Sequence, residues 1–103
     1  MALTGKQKRV LRGIGQLLEP TIFIGKEGAT DATVAAIEQS FARHELLKVR
    51  VLNNAPALRD DIAAILTERT GSERPGAVGH TFLLYRANPE LFRRITLPPA
   101  KEE

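Results

Sequence analysis

The first apolar positions along the chain recur at helical spacing. Val10, Leu11, Ile14, Leu17 and Leu18 fall at i, i+1, i+4, i+7 and i+8, one stripe of an amphipathic helix over residues 4–18. Lys8, Arg9, Arg12 and Gln16 take the opposite side of that helix. Thr4 is placed to cap its start, and Pro20 stops it. Gly13 and Gly15 each cost about 1 kcal/mol relative to Ala in a helix interior, so close packing or an early helix end must account for them. The pattern then changes. Thr21-Ile22-Phe23-Ile24 is a β-branched and aromatic run, read as a buried strand with Phe23 in the core. Gly25-Lys26-Glu27-Gly28 follows as a tight loop. Thr30 or Asp31 caps a second helix running to about Arg43, with Val34, Ile37 and Phe41 on one face.

From Leu46 to Leu52 the period becomes two. Leu47, Val49 and Val51 point one way and Lys48 and Arg50 the other, a strand with one buried and one wet side. Asn53-Asn54 breaks it, and Pro56 is expected in the first turn of a third helix. Leu58, Ile62, Ile65 and Leu66 make the core stripe of that helix, and Gly71 ends it. Ala77-Val78 and Thr81–Arg86 pair as a hairpin across Gly79-His80. Asn88-Pro89 turns the chain, residues 90–97 add a short helical turn or an edge strand, and 98–103 form a flexible tail. The order is α-β-α-β-α-β-β. Two strand–helix–strand units imply right-handed crossovers and parallel pairing, and the final hairpin makes the sheet mixed. The expectation is a single compact α/β domain over residues 1–97, with a four-stranded sheet and packed helices.

Length and composition agree with one domain and remove several kinds of chemistry. The chain has 103 residues and no Cys, so no disulfide, thiol nucleophile or Cys-based metal centre is available. No apolar run approaches the roughly 18 residues of a membrane span, and no apolar signal core opens the chain. A cytoplasmic protein is expected. The net charge is only +3, from 15 Lys and Arg against 12 Asp and Glu, but the charges are uneven. Residues 1–18 hold Lys6, Lys8, Arg9 and Arg12 and no acid, whereas 19–42 and 60–73 collect acids. Basic segments alternating with acidic ones suggest one basic face, the usual complement of a polyanion. A solvated surface of mixed charge explains the same pattern.

No catalytic set emerges. His44 and His80 have no metal-ligand spacing, and Asp60-Asp61, as sequence neighbours, diverge on a helix and suit its first turn. Gly13-Ile14-Gly15 lies inside the first helix and lacks the third glycine of a dinucleotide fingerprint. Neither a catalytic residue, a metal, a cofactor nor a small-molecule substrate is expected. The informative element is Ile24-Gly25-Lys26-Glu27-Gly28-Ala29-Thr30. Gly25 and Gly28, between a strand and a helix N-terminus, allow close backbone approach, and Lys26 adds a cation at the tip. Glu27 opposes phosphate binding unless it points away. A GxxG loop clamps nucleotide backbone in KH domains, although a bare match is more often a turn.

Four segments together carry a resemblance. Leu3-Thr4-Gly5-Lys6-Gln7-Lys8, the loop Ile24–Thr30, Glu45-Leu46-Leu47-Lys48-Val49-Arg50 after His44, and Val78-Gly79-His80-Thr81-Phe82-Leu83-Leu84-Tyr85-Arg86 occur in order. The sequence resembles the CRM domain, specifically the free-standing bacterial YhbY family, from about Leu3 to Leu97. The resemblance implies a non-catalytic RNA-binding domain, with a fold like the C-terminal domain of translation initiation factor 3. It implies association with precursor large ribosomal subunits, and hence ribosomal RNA as partner. Gly25 and Gly28 match the loop glycines, Lys26 a position that is often basic, and Glu27 a variable one.

The remaining candidates for RNA contact are Lys6, Lys8, Arg9 and Arg12 on the first helix, Lys48 and Arg50 on the strand's wet side, and Arg86. Solubility alone would explain both charged sets. Among the few aromatics only Tyr85 is a candidate for exposure on the sheet, so phosphate contacts and shape should dominate binding. Nothing in the sequence demands a dimer. A protein-interaction module without RNA contact is the alternative reading, and a membrane-surface role for the basic N-terminal segment is a weaker one.

Overall fold

The computed structural model describes residues 2–99. Its elements are α1 (Gly5–Gly15), β1 (Ile22–Ile24), α2 (Asp31–Phe41), β2 (Leu46–Val51), α3 (Arg59–Thr70), β3 (Ala77–Val78) and β4 (Thr81–Tyr85). The sheet order is β1-β2-β4-β3. β1 pairs parallel to β2, with Ile22 opposite Val49 and Ile24 opposite Val51. β4 runs antiparallel to both neighbours, β2 and β3. β3 is therefore parallel to β2 with β4 between them, so both strand–helix–strand units are parallel and the hairpin strand fills the gap.

The sheet has a core on each face. On one side Ile22, Ile24, Leu47, Val49, Val51, Phe82 and Leu84 meet Ile37 and Phe41 of α2 and Ile62, Ala63 and Leu66 of α3. On the other side Leu46, Leu83 and Tyr85 pack with Leu3 and Leu11, joined by Ile14, Leu18, Ile95 and Leu97. The expected wet side of β2 is thus half covered. Leu46 is buried, Lys48 lies beneath α1, and only Arg50 is exposed. The strand pattern hid this cover because Lys48 and Arg50 are the same residue type to a periodicity argument.

Two helix boundaries differ from expectation. Thr4 caps α1 and exchanges hydrogen bonds with Gln7, a capping box. The helix ends at Gly15, three residues early, leaving Leu17 87% exposed rather than on the apolar stripe. A Cβ on Gly15 would lie 2.5 Å from Leu83 Cδ1, so close packing on β4 also requires the glycine. Thr30 caps α2 in a second capping box with Thr33. The third helix starts at Arg59, not at Pro56, with Leu58 in the cap position and no side-chain cap bond. Consequently Leu58 and Ile65 face solvent, and the buried positions are Ile62, Ala63, Leu66 and Thr70. Gly71 ends α3 in the left-handed conformation, as expected.

Residues 90–97 form neither helix nor strand. They are held as an irregular strap by one buried carboxylate. Glu45, its side chain 1% exposed, accepts hydrogen bonds from the backbone N–H groups of Asn88 (2.7 Å) and Ile95 (2.7 Å) and from Arg94 Nε (3.1 Å). Burial acts to raise the Glu45 pKa, but these three donors outweigh it and hold the carboxyl below its ordinary range. Gln7 Nε2 donates to the carbonyl of Pro98, tying the next residue of the strap to α1. Most of the expected tail, residues 100–103, lies outside the described residues.

Candidate nucleic-acid interface

The two faces of the molecule differ in charge because their helices do. The segment GKQKRVLRGIG of α1 carries Lys6, Lys8, Arg9 and Arg12 and no acid. In α2 and α3 stand Asp31, Glu38, Asp60, Asp61 and Glu68 against Arg59 and Arg69. On the α2–α3 side Arg43, just past the end of α2, is exposed and in no ion pair among the described residues, while Arg69 pairs with Asp31, and Arg59 and Arg74 pair with Asp60. These two arginines lower the Asp60 pKa through hydrogen bonds and charge. Among the described residues no ion pair involves Lys8, Arg9, Arg12, Lys26 or Arg50. The expected basic face is therefore the α1 side of the sheet, where Lys8, Arg9 and Arg50 make no ion pair among the described residues.

The candidates named from the sequence divide on this map. Lys6 and Arg9 are exposed on α1 and Lys8 is half-buried there. Arg12 is exposed but anchored, with Nη1 donating to the Pro75 carbonyl at 3.2 Å. Its stem lies across Gly76, where a Cβ would come within 2.6 Å of Arg12 Cγ and Cδ. Lys48 Nζ donates to the carbonyls of Gly15 (3.2 Å) and Leu18 (3.3 Å) and so satisfies the end of α1. It is not displayed beside Arg50 on an open strand face. Arg86 is also internally engaged. Its guanidinium makes a two-pronged pair with Glu38 (3.0 and 2.8 Å), donates to the Thr70 carbonyl at 2.7 Å, and lies 4.6 Å from the centre of the Phe41 ring. The hydrogen bond from Arg86 lowers the Glu38 pKa. Those contacts give Arg86 the role of joining α2, α3 and the end of β4.

The loop after β1 is closed by Gly28 N–H donating to the Gly25 carbonyl at 3.0 Å. Gly28 is buried with φ +71°, and a Cβ there would sit 3.0 Å from Pro56 Cγ, so this glycine is required by the turn itself. Gly25 is not required in that way, since its Cβ would make only ordinary contacts with Asn54 Oδ1 (3.7 Å) and Leu52 Cδ1 (3.9 Å). Lys26 and Glu27 are exposed at the tip. The helix N-terminus behind the loop is partly committed. Thr33 N–H bonds to Thr30 Oγ1 in the capping box, and Asp31 places a carboxylate in the first turn. The loop thus offers Lys26 and an accessible backbone more than a vacant helix end.

Two features of the face were missed from sequence. Phe23, assigned to the core, is 55% exposed, whereas Tyr85, the aromatic candidate for the open sheet, is 8% exposed. Burial, helped by the charge of Glu45, raises the Tyr85 pKa. Alternation within β1 could have found the difference, because Ile22 and Ile24 enter one core and Phe23 must point the other way. Phe23 pairs with Arg50, Arg50 with Thr81, and Thr81 with Val78, a row across all four strands. Beside it, where α1 ends over β3 and β4, lies a groove of about 250 Å³ whose walls include Arg12, Gln16, Lys48, Val78 and Thr81. Only the folded chain brings these segments together.

The chain matches the CRS1 / YhbY (CRM) domain over residues 3–86. It belongs to the CRM domain family. A curated relative, "Probable RNA-binding protein YqeI" of Bacillus subtilis, is 36% identical over 96 residues, covering 93% of this chain and 99% of its own. "Probable RNA-binding protein PA4753" of Pseudomonas aeruginosa is 37% identical over 93 residues, covering 87% of this chain and 86% of its own. Among solved structures, the Staphylococcus aureus protein SAV1595 superposes with a TM-score of 0.80 at 36% identity, over 94% of this chain and all of that one. In this CRM domain the match spans the α1 cations, the loop and the strands of both cores, and stops at Arg86, before the strap. Among the described residues no helix is long and apolar enough to cross a membrane.

Proposed function

We propose that this CRM domain is a non-catalytic RNA-binding protein that acts in the cytoplasm as a monomer. Its RNA is the ribosomal RNA of precursor large subunits, bound during assembly. The observation that carries the reading is the segregation of charge: among the described residues Lys8, Arg9 and Arg50 on the α1 side and Lys26 at the loop tip stand without ion pairs, while Arg59, Arg69 and Arg74 opposite are paired with acids. A polyanion gains most from cations that it does not have to take from other partners. The names carried by relatives in Bacillus and Pseudomonas, and the likeness to the CRM family, select RNA among polyanions. Lys6, Lys8, Arg9 and Arg12 line one part of the proposed contact surface, with Gly25, Lys26 and Gly28 at the loop and Arg50 between them. Glu27 turns its charge to solvent at the tip. Lys48 and Arg86 support the surface from beneath or behind it.

The reading is tested by titrating a fragment of large-subunit RNA with the parent protein and with Lys8→Glu/Arg9→Glu/Arg50→Glu. The triple reversal leaves out Arg12, whose stem packs on Gly76. Loss of binding with unchanged thermal melting is expected. Equal binding by parent and variant would move RNA off this face.

A further inference from the structure

Phe23 is a large aromatic ring left open on a strand of the sheet, whereas the other exposed aromatic, Phe92, lies on the irregular strap outside the sheet. Phe41 and Phe82 are almost fully buried and Tyr85 is 8% exposed, against 55% for Phe23. Its cross-strand neighbour is Arg50, also exposed. Adjacent strands lie about 4.8 Å apart, so the ring and the guanidinium stem are side by side. β1 is an edge strand, so among the described residues no further strand covers the ring from its other side. Two residues on, just past the end of β1, stands Gly25, which packing does not require to be glycine. A Cβ there would stand against Leu52, 3.9 Å from its Cδ1. Lys26 follows at the loop tip.

We infer that Phe23 is a stacking site for one unpaired RNA base, with the phosphate of that nucleotide held at Arg50. The inference rests on the RNA-binding reading above and narrows it: the RNA must present an unpaired nucleotide, not only a duplex backbone. An aromatic face stacks any base, and a neighbouring arginine supplies both charge and a second planar group. Bases within a continuous duplex are already stacked and cannot reach the ring. The adjacent cations of the face favour a nucleic acid over an apolar protein segment, which would leave Arg50 and Lys26 without partners.

The test uses two RNAs of equal charge, a hairpin with an unpaired loop and a fully paired duplex. Phe23→Leu keeps an apolar side chain but removes the ring. It is expected to weaken hairpin binding roughly tenfold, the scale of one base–aromatic stack, and to leave duplex binding unchanged. Gly25→Ala should weaken hairpin binding in the same direction while melting like the parent. The chain has no Trp, so Phe23→Trp adds a single reporter whose emission should be quenched by the hairpin and not by the duplex. Hairpin binding by Phe23→Leu equal to the parent's, equal losses on both RNAs, or an unquenched Trp would overturn the stacking site while leaving RNA binding intact. A parent that self-associates through Phe23 with no effect on RNA would assign the ring to a second copy and overturn it as well. Failure of the parent to bind either RNA would overturn both this site and the reading beneath it.

Discussion

Gly28 and Lys26 sit two residues apart and answer different questions. Gly28 holds φ +71° against Pro56, so Gly28→Val places a branched side chain in a left-handed conformation and costs about 1–2 kcal/mol of stability or more. Its RNA binding falls because the loop is rebuilt. Asn tolerates the dihedral better, so Gly28→Asn should melt between Gly28→Val and the parent. Lys26→Ala removes one exposed cation and should weaken RNA binding a few-fold with no change in melting. Thermal melts beside RNA titrations check the order, and a Gly28→Val variant that melts like the parent would contradict the strained turn. The two loop glycines look alike in the sequence. What separates them is a dihedral angle and the position of Pro56, which lies 28 residues further on and is brought near only by the fold. Phe23 shows the same limit in reverse: its alternation with Ile22 and Ile24 was readable, but not that one face of β1 is left open.

Among the elements, the capped and periodic ones were legible. Thr4 and Thr30 act as caps, the β2 alternation is real, and the Gly79-His80 hairpin forms as expected. The start of α3 was not legible, because Pro56 suits a helix's first turn but here belongs to the packing around Gly28. The strap was illegible for a further reason: its anchor, Glu45, lies more than forty residues away and looks like an ordinary surface acid. Its depressed pKa has a stability consequence with a definite sign. Glu45 and Glu38 are held below the ordinary value of 4.5, so each stabilises the fold above that pH, and the contribution is lost as pH falls through the lower folded value. Melting temperature should therefore drop as pH goes below about 4.5, and Glu45→Gln should show a smaller drop over that range. The same variant should expose residues 87–97 to amide exchange at neutral pH, and an unchanged strap would contradict the clamp. Arg86→Ala tests the join between α2, α3 and β4. Its pair with Glu38 is partly solvent-screened, so a loss of about 1–2 kcal/mol is expected, with RNA affinity unchanged.

For the molecule as a whole, net charge understates the protein. A value of +3 hides a face on which Lys8, Arg9 and Arg50 make no ion pair among the described residues and an opposite face on which Arg59, Arg69 and Arg74 are paired with acids. If RNA contacts about four to six phosphates, log K falls against log salt with a slope of roughly −3 to −5. Reversing Lys8, Arg9 and Arg50 flattens that slope by up to about 3 if each meets a phosphate, and an unchanged slope would remove all three from the interface. The alternation of basic and acidic segments announced a basic face, but which cations belong to it depended on who pairs with whom. The most direct measurement of the central claim is gradient sedimentation of extracts from cells assembling ribosomes, at low and then rising salt. The protein is predicted to travel with precursor large-subunit particles at low salt, to be released as salt rises, and to stay at the top of the gradient as the Lys8→Glu/Arg9→Glu/Arg50→Glu variant. Parent protein found only in the free fraction at low salt, or a variant that travels with the particles as the parent does, would contradict it.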